Sequence, residues 1–104
     1  MSLIDALCTQ RAVIRPYLRY AGGKTVYGEP ETRACRLEPG PKTKVVYKNT
    51  DGSIVETVAS ALMFCPNPPI PIGSEVTCSG RTMRVIQCDQ MRGFAPNHLE
   101  VLLE

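Results

Sequence analysis

His98 is the single histidine of the chain, and so the one side chain whose ordinary pKa suits proton transfer near neutral pH. It stands beside Leu99-Glu100-Val101 in strand-like sequence. No Gly-x-Ser-x-Gly, paired-carboxylate motif or phosphate loop accompanies it. A general base needs a nucleophile or a substrate proton within hydrogen-bond reach, and nothing local arranges one. His98 therefore reads as a half-exposed polar residue entering the last strand, and the chain as a non-enzyme without catalytic residues. The cysteines, Cys8, Cys35, Cys65, Cys78 and Cys88, are odd in number and contain no C-x-x-C pair. Zinc sites in small proteins gather their ligands at turns, and Cys78, Cys88 and His98 would still need a fourth ligand. Free buried thiols in a reducing compartment, with no metal and no cofactor, are the expectation. Gly22-Gly23-Lys24-Thr25 echoes the end of a phosphate-binding loop but lacks the earlier glycine, and a strand follows it where a helix is needed. Lys42, Lys44 and Lys48 crowd one segment near Arg36. Without interleaved aromatic residues they offer phosphates only weak, non-specific contact, and surface solvation is the plain alternative.

Composition sets the outer bounds. A chain of 104 residues makes one domain with one core. Hydrophobic residues at 43% and a formal charge of +2, with no block of one sign, suit a soluble protein without a strong nucleic-acid footprint. No apolar run approaches the roughly 18 residues of a membrane span, and the opening residues lack the basic-then-apolar layout of a signal peptide. The chain is expected to stay where it is made.

The elements that must position these residues follow from regular punctuation. Nine prolines and eight glycines cut the chain into short segments, the spacing of an all-β sandwich or barrel. The expected fold is a small single-domain β-barrel with long loops and a short N-terminal helical turn over residues 2–7, within a cap segment spanning 1–10. Residues 72–103 carry the clearest barrel signature: a Gly-led strand, a tight Ser79-Gly80 turn, a second strand, a loop and a closing strand. Val76, Val85, Ile86, Leu99 and Val101 should be buried there. A first strand over 12–20 places Val13, Tyr17 and Arg19 on one side and Ile14, Leu18 and Tyr20 on the other. Pro16 makes that strand an edge or gives it a bulge. Residues 32–37 form another strand, with Cys35 and Leu37 inward and both Arg33 and Arg36 near solvent only if the strand twists or bulges. Residues 44–48 and 53–58 flank Asn49-Thr50-Asp51-Gly52 as a hairpin, because the Asp-Gly end supplies positive φ cheaply. Its second arm either continues through Phe64 with a bend, serving two sides of a barrel, or gives way to a short helix at 59–63. The proline-rich stretch 65–71 is an extended, stiff connector.

The order of Tyr17 and Tyr20, Val26-Tyr27-Gly28-Glu29-Pro30, Ala34-Cys35-Arg36-Leu37, Ile72-Gly73-Ser74-Glu75-Val76, Met83-Arg84-Val85 and His98-Leu99-Glu100-Val101 resembles the minor capsid and head-completion proteins of tailed bacteriophages and prophages. These are the connector or stopper proteins of the head–tail junction. The resemblance implies a compact barrel that assembles as a homo-oligomeric ring between portal or adaptor and tail proteins, closing the DNA-filled head. It implies location in the virion, and in the bacterial host cytoplasm during assembly. It also implies a channel-closing, inter-subunit pairing segment over residues 39–53, carried by Lys42, Lys44, Val45, Val46, Tyr47, Lys48, Asp51 and Gly52, with weak DNA contact in the channel. On this reading the prolines and glycine at 39–41 keep the arm apart from the barrel, and the lysines guard its edge until assembly. A free-standing β-barrel module that binds a protein partner, or nucleic acid non-specifically, is the other reading the residues allow.

Overall fold

The computed structural model describes residues 8–40, 44–49, 51–66, 68–91 and 98–104. It is all-β, and no described helix is long and apolar enough to cross a membrane. The expected N-terminal helical turn lies outside the described residues. Ten strands follow in order: β1 (Gln10–Arg15), β2 (Tyr17–Ala21), β3 (Lys24–Tyr27), β4 (Glu31–Pro39), β5 (Lys44–Lys48), β6 (Ile54–Val58), β7 (Ala61–Cys65), β8 (Glu75–Cys78), β9 (Arg81–Met91) and β10 (His98–Leu103). Six of them close an antiparallel barrel in the order β1-β4-β7-β10-β9-β8, with β8 returning to β1. The remaining four form two hairpins, β2-β3 and β5-β6, which among the described residues share no ladder with the barrel.

Strict alternation fills the interior. Ala12 and Ile14 of β1, Ala61, Met63 and Cys65 of β7, Val76 and Cys78 of β8, and Leu99, Val101 and Leu103 of β10 all point inward and are buried. The turn joining β8 to β9 puts both Ser79 (φ 52°) and Gly80 (φ 76°) in the left-handed region, the backbone that suits a two-residue hairpin.

Pro16 divides what the sequence presents as one strand over 12–20. Lacking an N–H, it cannot continue the ladder, so β1 stays in the barrel while β2 leaves it. The exit is fastened by the buried hydroxyl of Ser74, which accepts from the Tyr17 N–H at 2.9 Å and donates to the Pro71 carbonyl at 2.6 Å. The Pro16 carbonyl in turn accepts from the Gly28 N–H at 2.7 Å and closes the base of the β2-β3 hairpin. Ser74→Ala removes the acceptor for the partly buried Tyr17 N–H and one of the two donors to the Pro71 carbonyl. It is expected to lower unfolding stability by about 1–3 kcal/mol, read as a shift in the urea midpoint.

Arg33 departs from its expected place near solvent. β4 pairs β1 and β7 without a bulge, so Arg33 shares the inward face with Cys35 and Leu37. It sits at the barrel mouth, where its guanidinium turns to the Pro66 carbonyl (3.2 Å), the Pro68 carbonyl (2.6 Å) and Glu31 (2.7 Å). The proline-rich connector is thus held against the barrel, and Ile70 drops from it into the core. Arg36, on the outer face, is exposed beside Glu38.

Between β6 and β7 the chain bends at Ala59-Ser60 rather than forming a helix. The Ser60 N–H donates to the Leu103 carbonyl and its own carbonyl accepts from the Gly40 N–H, so both ends of the β5-β6 arm are tied to one point.

Candidate functional site

The β5-β6 arm and the cleft beside it form the candidate site. The arm pairs Lys44 with Val58 through Lys48 with Ile54. Its closing turn is held by the Asn49 N–H to the Ser53 carbonyl (2.7 Å) and the Gly52 N–H to the Asn49 carbonyl (2.9 Å). Gly52, at φ 91°, adopts a backbone that other residues resist. The Asp51 carboxylate accepts from both the N–H and the hydroxyl of Ser53, which lowers its pKa.

The arm has two unlike faces. Val45 and Tyr47 of β5, with Val55 of β6, lie against Ile86, Leu102 and Leu62 on the outside of the barrel and form a second, smaller core. The expectation of an arm held apart from the barrel is corrected by this contact: an amphipathic hairpin beside exposed aliphatic side chains buries its apolar face on them. The opposite face leaves Val46 (63%), Ile54 (71%) and Val58 (54%) exposed, interspersed with Lys44, Lys48 and Glu56. Lys44 pairs with Glu56 across the hairpin at 2.6 Å. Lys48 has no ion-pair partner among the described residues. Lys42 lies outside the described residues.

A polar latch fastens the buried face. Arg84 of β9 donates to Glu104 and to the Tyr47 hydroxyl (3.0 Å), which itself donates to Glu104 at 3.1 Å. Burial works to raise the Glu104 carboxyl, but hydrogen bonds from Arg84, Thr57 and Tyr47 outweigh it and hold the group below its ordinary value of 4.5. Burial, and then the bond to Glu104, raise the Tyr47 phenol above 10.0. The stabilisation from Glu104 is therefore complete above its unfolded pKa and disappears as pH falls through the lower folded one. That from Tyr47 is complete below pH 10.0 and fades as pH rises through the higher folded value. In a series of urea midpoints from neutral pH downward, Glu104→Gln is expected to flatten the loss that the parent shows below about pH 4.5.

A cleft of about 700 Å³ opens beside the arm, between β5 and β2. Tyr17 and Tyr20 line one side and Val46, Tyr47 and Lys48 the other, with Ile72 and Ile86 also contributing. Among the described residues β2 is paired only with β3, and β5 only with β6, so each strand bordering the cleft has a single ladder neighbour there.

The other chemistry-bearing residues do not join this site. His98 opens β10, with its ring 6.1 Å from that of Phe64 and its Nε2 3.4 Å from Glu100. Cys35, Cys65, Cys78 and Cys88 are free thiols. Cys35 and Cys78 approach to 3.8 Å inside the barrel, where burial and then its neighbour push Cys35 up to about 12. Burial pushes Cys65 up to about 11. Such thiols hold almost no thiolate at neutral pH, so iodoacetamide is expected to leave Cys35 and Cys65 unmodified until denaturant is added, as read by mass spectrometry. Among the described residues no group of three or more His, Cys, Asp or Glu side chains is placed to hold a metal.

Arg84, Glu104 and Ser74 are the structural residues that local sequence does not announce. Arg84 and Glu104 stand on different segments and meet only because the last residues pair beside β9. Comparison of the chain with protein families, curated proteins and solved structures finds no match.

Proposed function

We propose that this chain is a structural protein of the head–tail connector of a tailed bacteriophage or prophage, acting mechanically rather than catalytically. In this reading copies form a ring that joins portal or adaptor proteins to the tail and closes the DNA-filled head. The supporting observation is the β5-β6 arm: a hairpin outside the barrel ladder, with exposed aliphatic side chains among charged ones on its outer face and, among the described residues, no strand on either edge. In a monomer such an arm is a liability, and in an assembly it is a ready contact. The ordered motifs along the chain, from Tyr17 to Val101, add the resemblance to connector proteins. The roles of Lys44, Val46, Lys48, Asp51 and Gly52 in closing a channel, and weak contact of the lysines with DNA, belong to this proposal.

The test is copurification of tagged protein from cells expressing its genomic neighbours, followed by mass spectrometry and negative-stain imaging. Ring-shaped particles containing a portal-like partner are the expected result. Recovery alone, or with nucleic acid that washes off in salt, would overturn the connector reading in favour of a free-standing binding module.

A further inference from the structure

We infer that Cys35 and Cys78 are the site of a reversible disulfide inside the barrel, open in a reducing milieu and closed by an oxidant of the peroxide class. The two thiols stand on β4 and β8, the strands that flank β1, and their sulfurs lie 3.8 Å apart. Both are buried, and neither belongs to the cleft or to the latch. Gln10 and Ala12 share the inward side of the intervening strand, opposite Cys35 and Cys78 respectively. Gln10 turns its amide away to the Ser79 hydroxyl (3.2 Å) and the Leu37 N–H (2.8 Å), while Ala12 offers only a methyl, so the two sulfurs meet across β1. A disulfide sets them about 2.05 Å apart, a closing of roughly 1.8 Å that side-chain rotation and a small approach of β4 and β8 supply. The neighbouring thiols are engaged elsewhere. Cys65 accepts a hydrogen bond from Arg33, and Cys8 donates to the Phe64 carbonyl at 3.6 Å.

Cys78 ends β8 at the tight turn, where its sulfur also touches the Ser79 hydroxyl at 3.8 Å, and so it is the member of the pair that meets the oxidant. Its sulfur takes one oxygen from hydrogen peroxide to become a sulfenic acid, and the thiol proton leaves with the peroxide's other oxygen as water. The Cys35 sulfur then forms the S–S bond, and the sulfenic hydroxyl departs with the Cys35 proton as a second water. Two thiols are oxidised and one peroxide is reduced. Contact drives the second step, because burial keeps the Cys35 thiol protonated until an electrophilic sulfur stands beside it. The bond joins positions 43 residues apart and encloses the β5-β6 arm and β7, so it restricts the unfolded chain and stabilises the barrel. A glutathione-reduced cytoplasm holds the pair open, and oxidising surroundings close it. The inference concerns the barrel alone and does not depend on the connector reading.

The experiment treats the folded, purified chain with hydrogen peroxide after removal of reductant, digests it without reduction and maps the peptides by mass spectrometry. A Cys35 peptide joined to a Cys78 peptide, each lighter by one hydrogen and both released by dithiothreitol, is expected. The melting temperature of the oxidised chain should exceed that of the reduced chain by at least about 8 °C. Cys78→Ser should show neither the link nor the rise. Oxidised and reduced parent are compared directly, so the test stands without the variant. Sulfinic or sulfonic acid at either position without a link, a link from either to a different cysteine, no link while a denatured control oxidises, or a link that leaves melting unchanged would each overturn the inference.

Discussion

Val85→Asp is expected to yield no folded protein. Val85 is completely buried among Met83, Val101, Leu103 and the other inward residues of the barrel. An aspartate there has no cationic partner in the core cluster, and desolvating its charge costs several kcal/mol even after relaxation. A domain of this size has roughly 5–15 kcal/mol in total. Protonating the carboxyl avoids the charge but leaves a polar group without a bond and removes the methyls that filled the space. The expected result is an insoluble or unfolded chain without a cooperative urea transition by circular dichroism. A soluble, cooperatively unfolding variant would show that this side chain does not face the core.

The adjacent residue is expected to behave differently. Ile86 is as well buried as Val85, but beneath the arm, in the outer core with Val45, Tyr47 and Leu102. Ile86→Asp sets a charge against that small core, and the arm can escape it by lifting, which returns the carboxylate to water. The barrel ladders do not depend on the arm, so the cost falls on local opening rather than on global unfolding. Loss of the isoleucine packing alone is worth about 2–5 kcal/mol. Amide hydrogen exchange across residues 44–58 is therefore expected to accelerate at least about a hundredfold, while β8 and β10 remain protected. A uniform loss of protection over both regions would show that arm and barrel unfold as one unit.

These neighbours mark where the sequence is legible. Alternation over 72–103 identifies Val76, Val85, Leu99 and Val101 as buried, because period two and the inner face of a barrel express the same geometry. Ile86 also reads as buried, but the reason is not visible locally. Alternation turns Ile86 outward beneath the arm, and the extra residue in β9, between the partners of Leu102 and Leu103, shifts the phase so that Cys88 opposite Val101 faces the barrel core. The Asn49-Thr50-Asp51-Gly52 connection announces a hairpin through its backbone preferences alone. What that hairpin packs against is decided by strands distant in the chain. Pro16 likewise announces an interruption, yet the exit of β2 depends on Ser74, a residue with no local signal.

The sequence by itself determined the all-β class, the 44–58 hairpin, the tight Ser79-Gly80 turn and most of the inward set, because turn chemistry and strand alternation are properties of neighbouring residues. It also showed which catalytic motifs are missing. Only the tertiary structure decided that six strands close while four stand outside, that Arg33 bridges the barrel to the proline-rich connector, and that Arg84, Tyr47 and Glu104 form a latch. It alone set β2 beside β5 across a cleft, because long-range ladders and solvent exclusion bring together residues that no local spacing relates.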